Sequence, residues 1–229
     1  MQRSAIIIGA SGGIGGALAD CLEASRTHDV YRLGRSEPIS IDLTDDATIK
    51  SAARRLEELG CAPELIIVAT GLLHRDGKGP EKTLRDLDPE WMLENYRVNA
   101  VGPAMVAKHF LPLMPRNQRT VFAALSARVG SISDNKLGGW HSYRASKAAL
   151  NMLIRNLSIE WQRKNQASII VGLHPGTVET ALSAPFKGNP TTERFGPPQA
   201  AEQLLAVLNS LNPGQSGELF SYDGVTIAP

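Results

Sequence analysis

Tyr143 and Lys147 stand four residues apart in the run Tyr143-Arg144-Ala145-Ser146-Lys147, one turn apart on the same face of a helix. A tyrosine with a pKa of ~10 is a poor acid or base at neutral pH. An ammonium beside it stabilises the phenolate. Lowering the phenol by roughly three units corresponds to about 4 kcal/mol of favourable electrostatics, which a lysine and an oxidised, positively charged nicotinamide could supply together. The start of the chain suggests where such a nicotinamide would come from. Ile6-Ile7-Ile8 is a short β-rich run, and Gly9, Gly13 and Gly15 follow as G-x-x-x-G-x-G ahead of an apolar helix. This is not the G-x-G-x-x-G fingerprint, but the physics is shared. Glycines let the backbone approach a pyrophosphate, and a helix N-terminus faces its charge. Gly9, Ser11, Gly13, Ile14 and Gly15 are therefore candidate cofactor-binding residues.

The elements that must position these groups are legible as alternating strands and helices. Strands are expected over Ile6–Ile8, Val30–Leu33, Ile39–Ile41, Leu65–Ala69, Thr120–Leu125, Ser168–Leu173 and Gly217–Phe220. Helices are expected over Ala17–Leu22, from a Thr44 N-cap to Leu59 with a stop at Gly60, over Pro89–Leu111, Trp140–Lys164 and Pro198–Leu211. The uninterrupted apolar run Leu65-Ile66-Ile67-Val68-Ala69 is that of a strand buried on both faces. The pattern predicts a single-domain α/β fold spanning residues 1–229. It would be a Rossmann-type three-layer sandwich with a parallel sheet of about seven strands and helices on both faces. Ligands of such sheets bind beyond the carboxyl ends of the strands, where every motif named here falls. In the helix bearing Tyr143, the stripe Leu150, Ile154, Leu157 and Trp161 leads back by threes and fours to Lys147 and Tyr143. The polar pair thus extends the buried face at the helix N-terminal end, a costly position without partners.

Bulk properties exclude other classes. The 229 residues are 42% hydrophobic and 21% charged with a net charge of +1, which predicts one globular core and no nucleic-acid surface. No signal peptide or membrane-spanning run is expected. Cys21 and Cys61 form no CxxC pair and read as filler in a reduced, cytoplasmic protein. The five histidines show no metal-ligand spacing, so no metal site is expected.

Dinucleotide preference is read at the end of the second strand. An acidic residue there would bind an NAD ribose diol; this chain has Leu33-Gly34-Arg35-Ser36. Arg35 can pair with a 2′-phosphate and Ser36 can add a hydrogen bond. NADP(H) is favoured over NAD(H). Arg32 points elsewhere if the strand alternates.

Gly9-x-x-x-Gly13-Ile14-Gly15, Asn99, Tyr143-x-x-x-Lys147 and Pro175-Gly176-Thr177-Val178-Glu179-Thr180 occur in the order and approximate spacing of the short-chain dehydrogenase/reductase family. The resemblance covers essentially the whole chain. Ser126-Ala127-Arg128-Val129-Gly130-Ser131 and the ending Phe220-Ser221-Tyr222-Asp223-Gly224 further resemble the C-factor-like bacterial subgroup. The family resemblance implies NADP(H)-dependent interconversion of a carbonyl and an alcohol on a small-molecule substrate. Tyr143 would be the general acid/base, and Lys147 would lower its pKa and hold the nicotinamide ribose. Asn99 would hold a relay water on its backbone carbonyl. Asp42-Leu43 resembles the adenine-binding pair. Ala69-Thr70-Gly71 stands where the family often has Asn-Ala-Gly. Pro175, Gly176, Thr177, Val178 and Thr180 match the nicotinamide-side loop. The family's substrate-orienting serine, aligned without a gap, falls on Ala127. Ser126 fits only with a one-residue shift, which reverses side-chain direction in a strand; Ser131 or Ser133 could substitute, or the role could be unfilled. Residues 181–196 would form a short substrate loop over an open pocket. The resemblance also implies a homodimer or homotetramer, built on the helices around 89–111 and 140–164. A competing expectation is a dinucleotide-binding signalling protein with little or no turnover.

Overall fold

The computed structural model describes residues 3–186 and 194–229. Its eight-stranded sheet contains β1 (Arg3–Ile8), β2 (His28–Gly34), β3 (Ile39–Ser40), β4 (Pro63–Val68), β5 (Thr120–Leu125) and β6 (Ser168–His174). β7 (Thr177–Val178) and β8 (Arg194–Phe195) pair apart from it, and β9 (Leu219–Ser221) and β10 (Thr226–Ile227) complete it. The strand order is β10-β9-β6-β5-β4-β1-β2-β3. Every pair is parallel except β9–β10. The sheet thus has one strand more than expected. β10 is two residues after a glycine turn, too short for alternation to reveal.

Alternation along the central strands separates two cores. Ile6, Ile8, Ile66, Val68, Phe122, Ala124 and Ile170 face one side. That side is covered by α2 (Asp46–Glu58), α4 (Gly102–Phe110) and α5 (His141–Gln162). Ala5, Ile7, Leu65, Ile67, Val121, Ala123 and Val171 face the other, covered by α1 (Gly13–Ser25) and α6 (Pro197–Ser210). Because both faces are buried, the strands read as continuous apolar runs rather than alternating ones.

Helix ends depart from expectation in two places. Asp45, not Thr44, caps α2, its side chain accepting from the Ala47 N–H at 2.9 Å. Thr44 instead donates its N–H and hydroxyl to Asp42 Oδ1 at 2.8 and 2.7 Å. The stretch expected as one helix is α3 (Pro89–Tyr96), a π turn over Arg97–Val101 and α4. Asn99 lies within the π turn, where the Gly102 N–H reaches back to Arg97 O. Single π turns inside helices recur at functional sites.

The order of strands reverses at β1, with β2 on one side and β4 on the other. The crevice at such a switch point is where this architecture binds ligands.

Candidate active site

A cavity of about 350 Å³ opens at that crevice, lined from the ends of β1, β2, β4, β5 and β6. Of the expected cofactor residues, Gly9, Ser11, Gly13, Ile14, Arg35, Asp42, Leu43, Ala69, Thr70, Gly71, Pro175 and Thr180 line it together with Ser126, Tyr143 and Lys147. Gly15, Ser36, Asn99, Gly176, Thr177 and Val178 do not line it. Gly15 stands behind the loop: a Cβ there would lie 2.1 Å from Gly9 O. Gly9 itself needs φ +89, and its amide donates to Leu33 O at 2.8 Å.

The loop between β1 and α1 fits a pyrophosphate. The N-cap Gly12 offers no side-chain acceptor and the first turn of α1 carries no acid, so the turn's amides and dipole are left for an anion. A Cβ on Gly13 would meet Thr180 Cγ2 at 2.9 Å, so glycine there lets the Thr180 side chain pack against the first turn of α1. Thr70 Oγ1 is buried without a partner, an unfilled hydrogen-bonding group on the cavity wall. Arg32 does point away, bonded to Asp20 and Glu23 of α1 at 2.5 and 2.8 Å. Arg35 is exposed at the cavity rim, with no ion pair drawn to it among the described residues. Thr44 holds the Asp42 carboxyl below the usual carboxylate range by backbone and side-chain hydrogen bonds. Thr177 and Val178 form β7, paired in parallel with Arg194 and Phe195.

The deep end of the cavity belongs to α5. Tyr143 and Lys147 are both buried, with the ammonium 5.7 Å from the ring centroid. Lys147 Nζ donates to Leu125 O at 2.8 Å. Burial alone pushes the lysine down to about 7 and pushes the Tyr143 phenol upward. The lowering expected of the tyrosine is therefore not imposed by this pair alone. Desolvation disfavours both charged forms, and Lys147 turns to a backbone carbonyl.

The Asn99 side chain bridges two elements. Oδ1 accepts from the Leu72 N–H at 2.7 Å, and Nδ2 donates to Leu72 O at 2.9 Å and Ser146 Oγ at 3.0 Å. One amide thus clips the loop after β4 to α5 beside Lys147. This clip steadies the loop Val68-Ala69-Thr70-Gly71, which lacks the family's usual asparagine. Gly71 sits over the pair: a Cβ there would be 3.7 Å from Asn99 Oδ1 and 3.8 Å from Lys147 Nζ.

Three sets of contacts around these groups are not visible in the sequence. Glu81 is buried and accepts from both the N–H and the hydroxyl of Ser142, while its own carbonyl accepts from the Trp140 N–H at 2.5 Å. The left-handed N-cap Trp140 gives α5 no side-chain acceptor, so a carboxylate 61 residues before Ser142 caps α5. His174 is half-buried, pushed down to about 4 mainly by desolvation, with Nδ1 unpartnered. The third is a lid of rings. Leu73, Ala127 and Tyr143 cluster with Val129, Trp140, Leu182 and Phe186, and the Trp140 ring lies 6.2 Å from Tyr143 and 5.4 Å from Phe186. His74 Nε2 reaches Ala181 O at 3.1 Å. Apolar groups thus pack against Tyr143, which still lines the cavity. Residues 187–193 of the expected substrate loop lie outside the described residues.

Of the candidate serines, Ser126 lines the cavity. Ser131 Oγ accepts from the Asp134 N–H and Ser133 Oγ donates to Pro229 O, both within the outer loop. Among the described residues, no group of His, Cys, Asp and Glu could hold a metal ion, and no helix is long and apolar enough to cross a membrane.

Residues 10–203 match the sequence model of the enoyl-(acyl carrier protein) reductase family. The chain is 33% identical over 144 residues to the C-signal of Myxococcus xanthus, covering 63% of this chain and 82% of that one. It is 31% identical over 196 residues to the 1-hydroxy-2-glutathionyl-2-methyl-3-butene dehydrogenase of Rhodococcus sp. strain AD45, covering 86% and 81%. The fold superposes on the NADPH-bound carbonyl reductase from chicken fatty liver with a TM-score of 0.85, 26% identity and 99% of each chain covered.

Proposed function

The chain belongs to the short-chain dehydrogenase/reductase family and is an NAD(P)-dependent oxidoreductase, and from that premise we propose that it interconverts a carbonyl and an alcohol using NADP(H). The single observation that carries this is the buried Tyr143–Lys147 pair at the floor of a cavity whose other end is a glycine-cradled helix N-terminus. Bound NADPH supplies the hydride for reduction. Tyr143 Oη gives its proton to the carbonyl oxygen in that direction and takes the alcohol proton in the other. Lys147 holds the nicotinamide ribose. Its ammonium, together with the positive charge of the oxidised ring, offsets the desolvation that otherwise raises the phenol. Asn99 fixes the loop above both groups, and its backbone carbonyl carries the relay water. Ser126 orients the substrate carbonyl.

Preference for NADP(H) rests on Arg35 at the rim and on the absence of an acid at the end of β2; the NADPH bound by the chicken carbonyl reductase supports it. Assembly as a homodimer or homotetramer is supported by exposed Leu93, Val101, Met152 and Ile159 on α3, the π turn and α5. Light scattering behind size exclusion that shows only monomer overturns this assembly.

A second reading has one observation in its favour: Ala127 stands where the family's serine aligns, in a chain similar to the C-signal. In that case the protein binds the dinucleotide and signals with little turnover. NADPH fluorescence titration beside a carbonyl panel separates the two. Turnover lost in Tyr143→Phe with NADPH affinity kept supports the enzyme. Tight NADPH binding with no turnover on any member supports the signalling protein.

A further inference from the structure

The family's serine position is a methyl group, yet a hydroxyl stands beside it in an unusual setting. The Ser126 N–H donates to Leu173 O at 2.7 Å, carrying the β5–β6 ladder one residue past β5. Its side chain therefore falls on the face of Phe122 and Ala124, under α5. There Ser126 Oγ donates to Asn151 Oδ1 at 2.7 Å. Asn151 lies on α5 one turn beyond Lys147 and two beyond Tyr143. Its Nδ2 is buried and has no partner. Orphaned buried donors are rare and cost free energy, so this one asks for a use.

We propose that Asn151 is the positioning residue for the substrate-orienting hydroxyl, switching from accepting the Ser126 proton to donating to Ser126 Oγ when a carbonyl enters the cavity. The proposal rests on the carbonyl/alcohol reading above. The terminal torsion of an asparagine is two-fold, so a half turn exchanges Oδ1 for Nδ2 without moving the backbone. In the first setting the hydroxyl is parked on the amide oxygen, as found here. In the second, Nδ2 donates to Ser126 Oγ and the hydroxyl hydrogen is released into the cavity that Ser126 lines. A carbonyl oxygen accepts it there. The chain N–H to O–H to carbonyl polarises along its length. No covalent bond forms or breaks in this step. The one-residue shift from Ala127 to Ser126 is thereby accommodated: the hydroxyl comes from the α5 side of the strand, and α5 supplies its partner.

The test measures NADPH consumption with a panel of aldehydes and ketones headed by para-nitrobenzaldehyde. It compares wild type, Tyr143→Phe, Ser126→Ala, Asn151→Leu, Asn151→Asp and the Ser126→Ala/Asn151→Leu double variant. Ser126→Ala is expected to lower kcat about a hundredfold. Asn151→Leu is expected to lower it about tenfold, with KM for NADPH unchanged. Asn151→Asp keeps the acceptor but lacks the N–H and should fall at least as far as Asn151→Leu. The double variant should be no slower than Ser126→Ala, because Asn151 acts only through Ser126. Thermal melts of Asn151→Leu at or above wild type exclude simple misfolding. Wild-type kcat in Asn151→Leu or in Ser126→Ala, or losses that multiply in the double variant, overturn the proposal. Absence of turnover in wild type, or full activity in Tyr143→Phe, overturns the carbonyl reading itself and the proposal with it.

Discussion

Replacing Gly15 by alanine tests the cofactor cradle most directly, because two opposing effects are both quantifiable. Gly15 lies in the first turn of α1, where alanine is better than glycine by about 1 kcal/mol on propensity. Against that, the added Cβ would lie 2.1 Å from Gly9 O, 2.8 Å from Gly9 C and 3.2 Å from Ala10 N. All three are backbone atoms and cannot swing away. Gly9 is further pinned by its amide on Leu33 O and by Gly12 N–H on its own carbonyl at 3.0 Å. Relief requires roughly 1 Å of movement between helix and loop, and overpacking of this kind costs about 1–3 kcal/mol or more. The clash wins. A net loss of up to about 2 kcal/mol corresponds to a fall in Tm of roughly 4–8 °C for a chain of this size. Misplacing the cradle by about 1 Å should weaken NADPH binding on the order of a hundredfold. Gly16→Ala is the control. Its Cβ would lie 3.1 Å from Ala10 O, which a few tenths of an ångström relieve, so propensity nearly cancels strain and Tm should stay within about 2 °C. Differential scanning fluorimetry and NADPH fluorescence titration measure both. Gly15→Ala with wild-type Tm and affinity, or Gly16→Ala the more damaged of the two, would refute the reasoning.

Lys147, held at about 7 in the folded protein, has an unfolded value of ~10.4. Between these the unfolded chain binds more protons, so this group makes stability rise with pH from about 7 to about 10, by up to about 5 kcal/mol, with the full penalty below 7. Cofactor-free Lys147→Met should lose that rise in a melt-versus-pH series, and an unchanged slope counts against it. Glu81→Ala uncaps α5 and orphans two Ser142 donors, costing about 2–3 kcal/mol, a drop in Tm of roughly 5–10 °C with kcat falling further than KM rises; a neutral melt would remove Glu81 from the cap. Arg35→Ala should weaken NADPH binding roughly tenfold to a hundredfold while sparing NADH, and equal losses for both would count against a 2′-phosphate role.

Much of the fold was legible in the sequence because it depends on local signals. Continuous apolar runs mark strands buried on two faces, and Gly9, Gly13 and Gly15 mark the strand-to-helix turn, where Gly9 and Gly15 leave no room for a side chain. The stripe from Trp161 back to Tyr143 placed the tyrosine and lysine at the buried end of their helix, where both are in fact buried. What periodicity could not show are contacts between distant segments. The cap on α5 comes from Glu81, the clip on Leu72 from Asn99, the lid from Leu182 and Phe186, and the partner of Ser126 from Asn151. Each pairs residues tens of positions apart, and their meeting is decided by which sheet face and helix end the topology brings together. The protonation balance of Tyr143 and Lys147 belongs to this second class too. The sequence by itself determined that the pair exists and which way it faces. Only the tertiary structure determined that burial raises the phenol and lowers the amine, because desolvation is a property of everything packed around a charge and not of its neighbours in the chain.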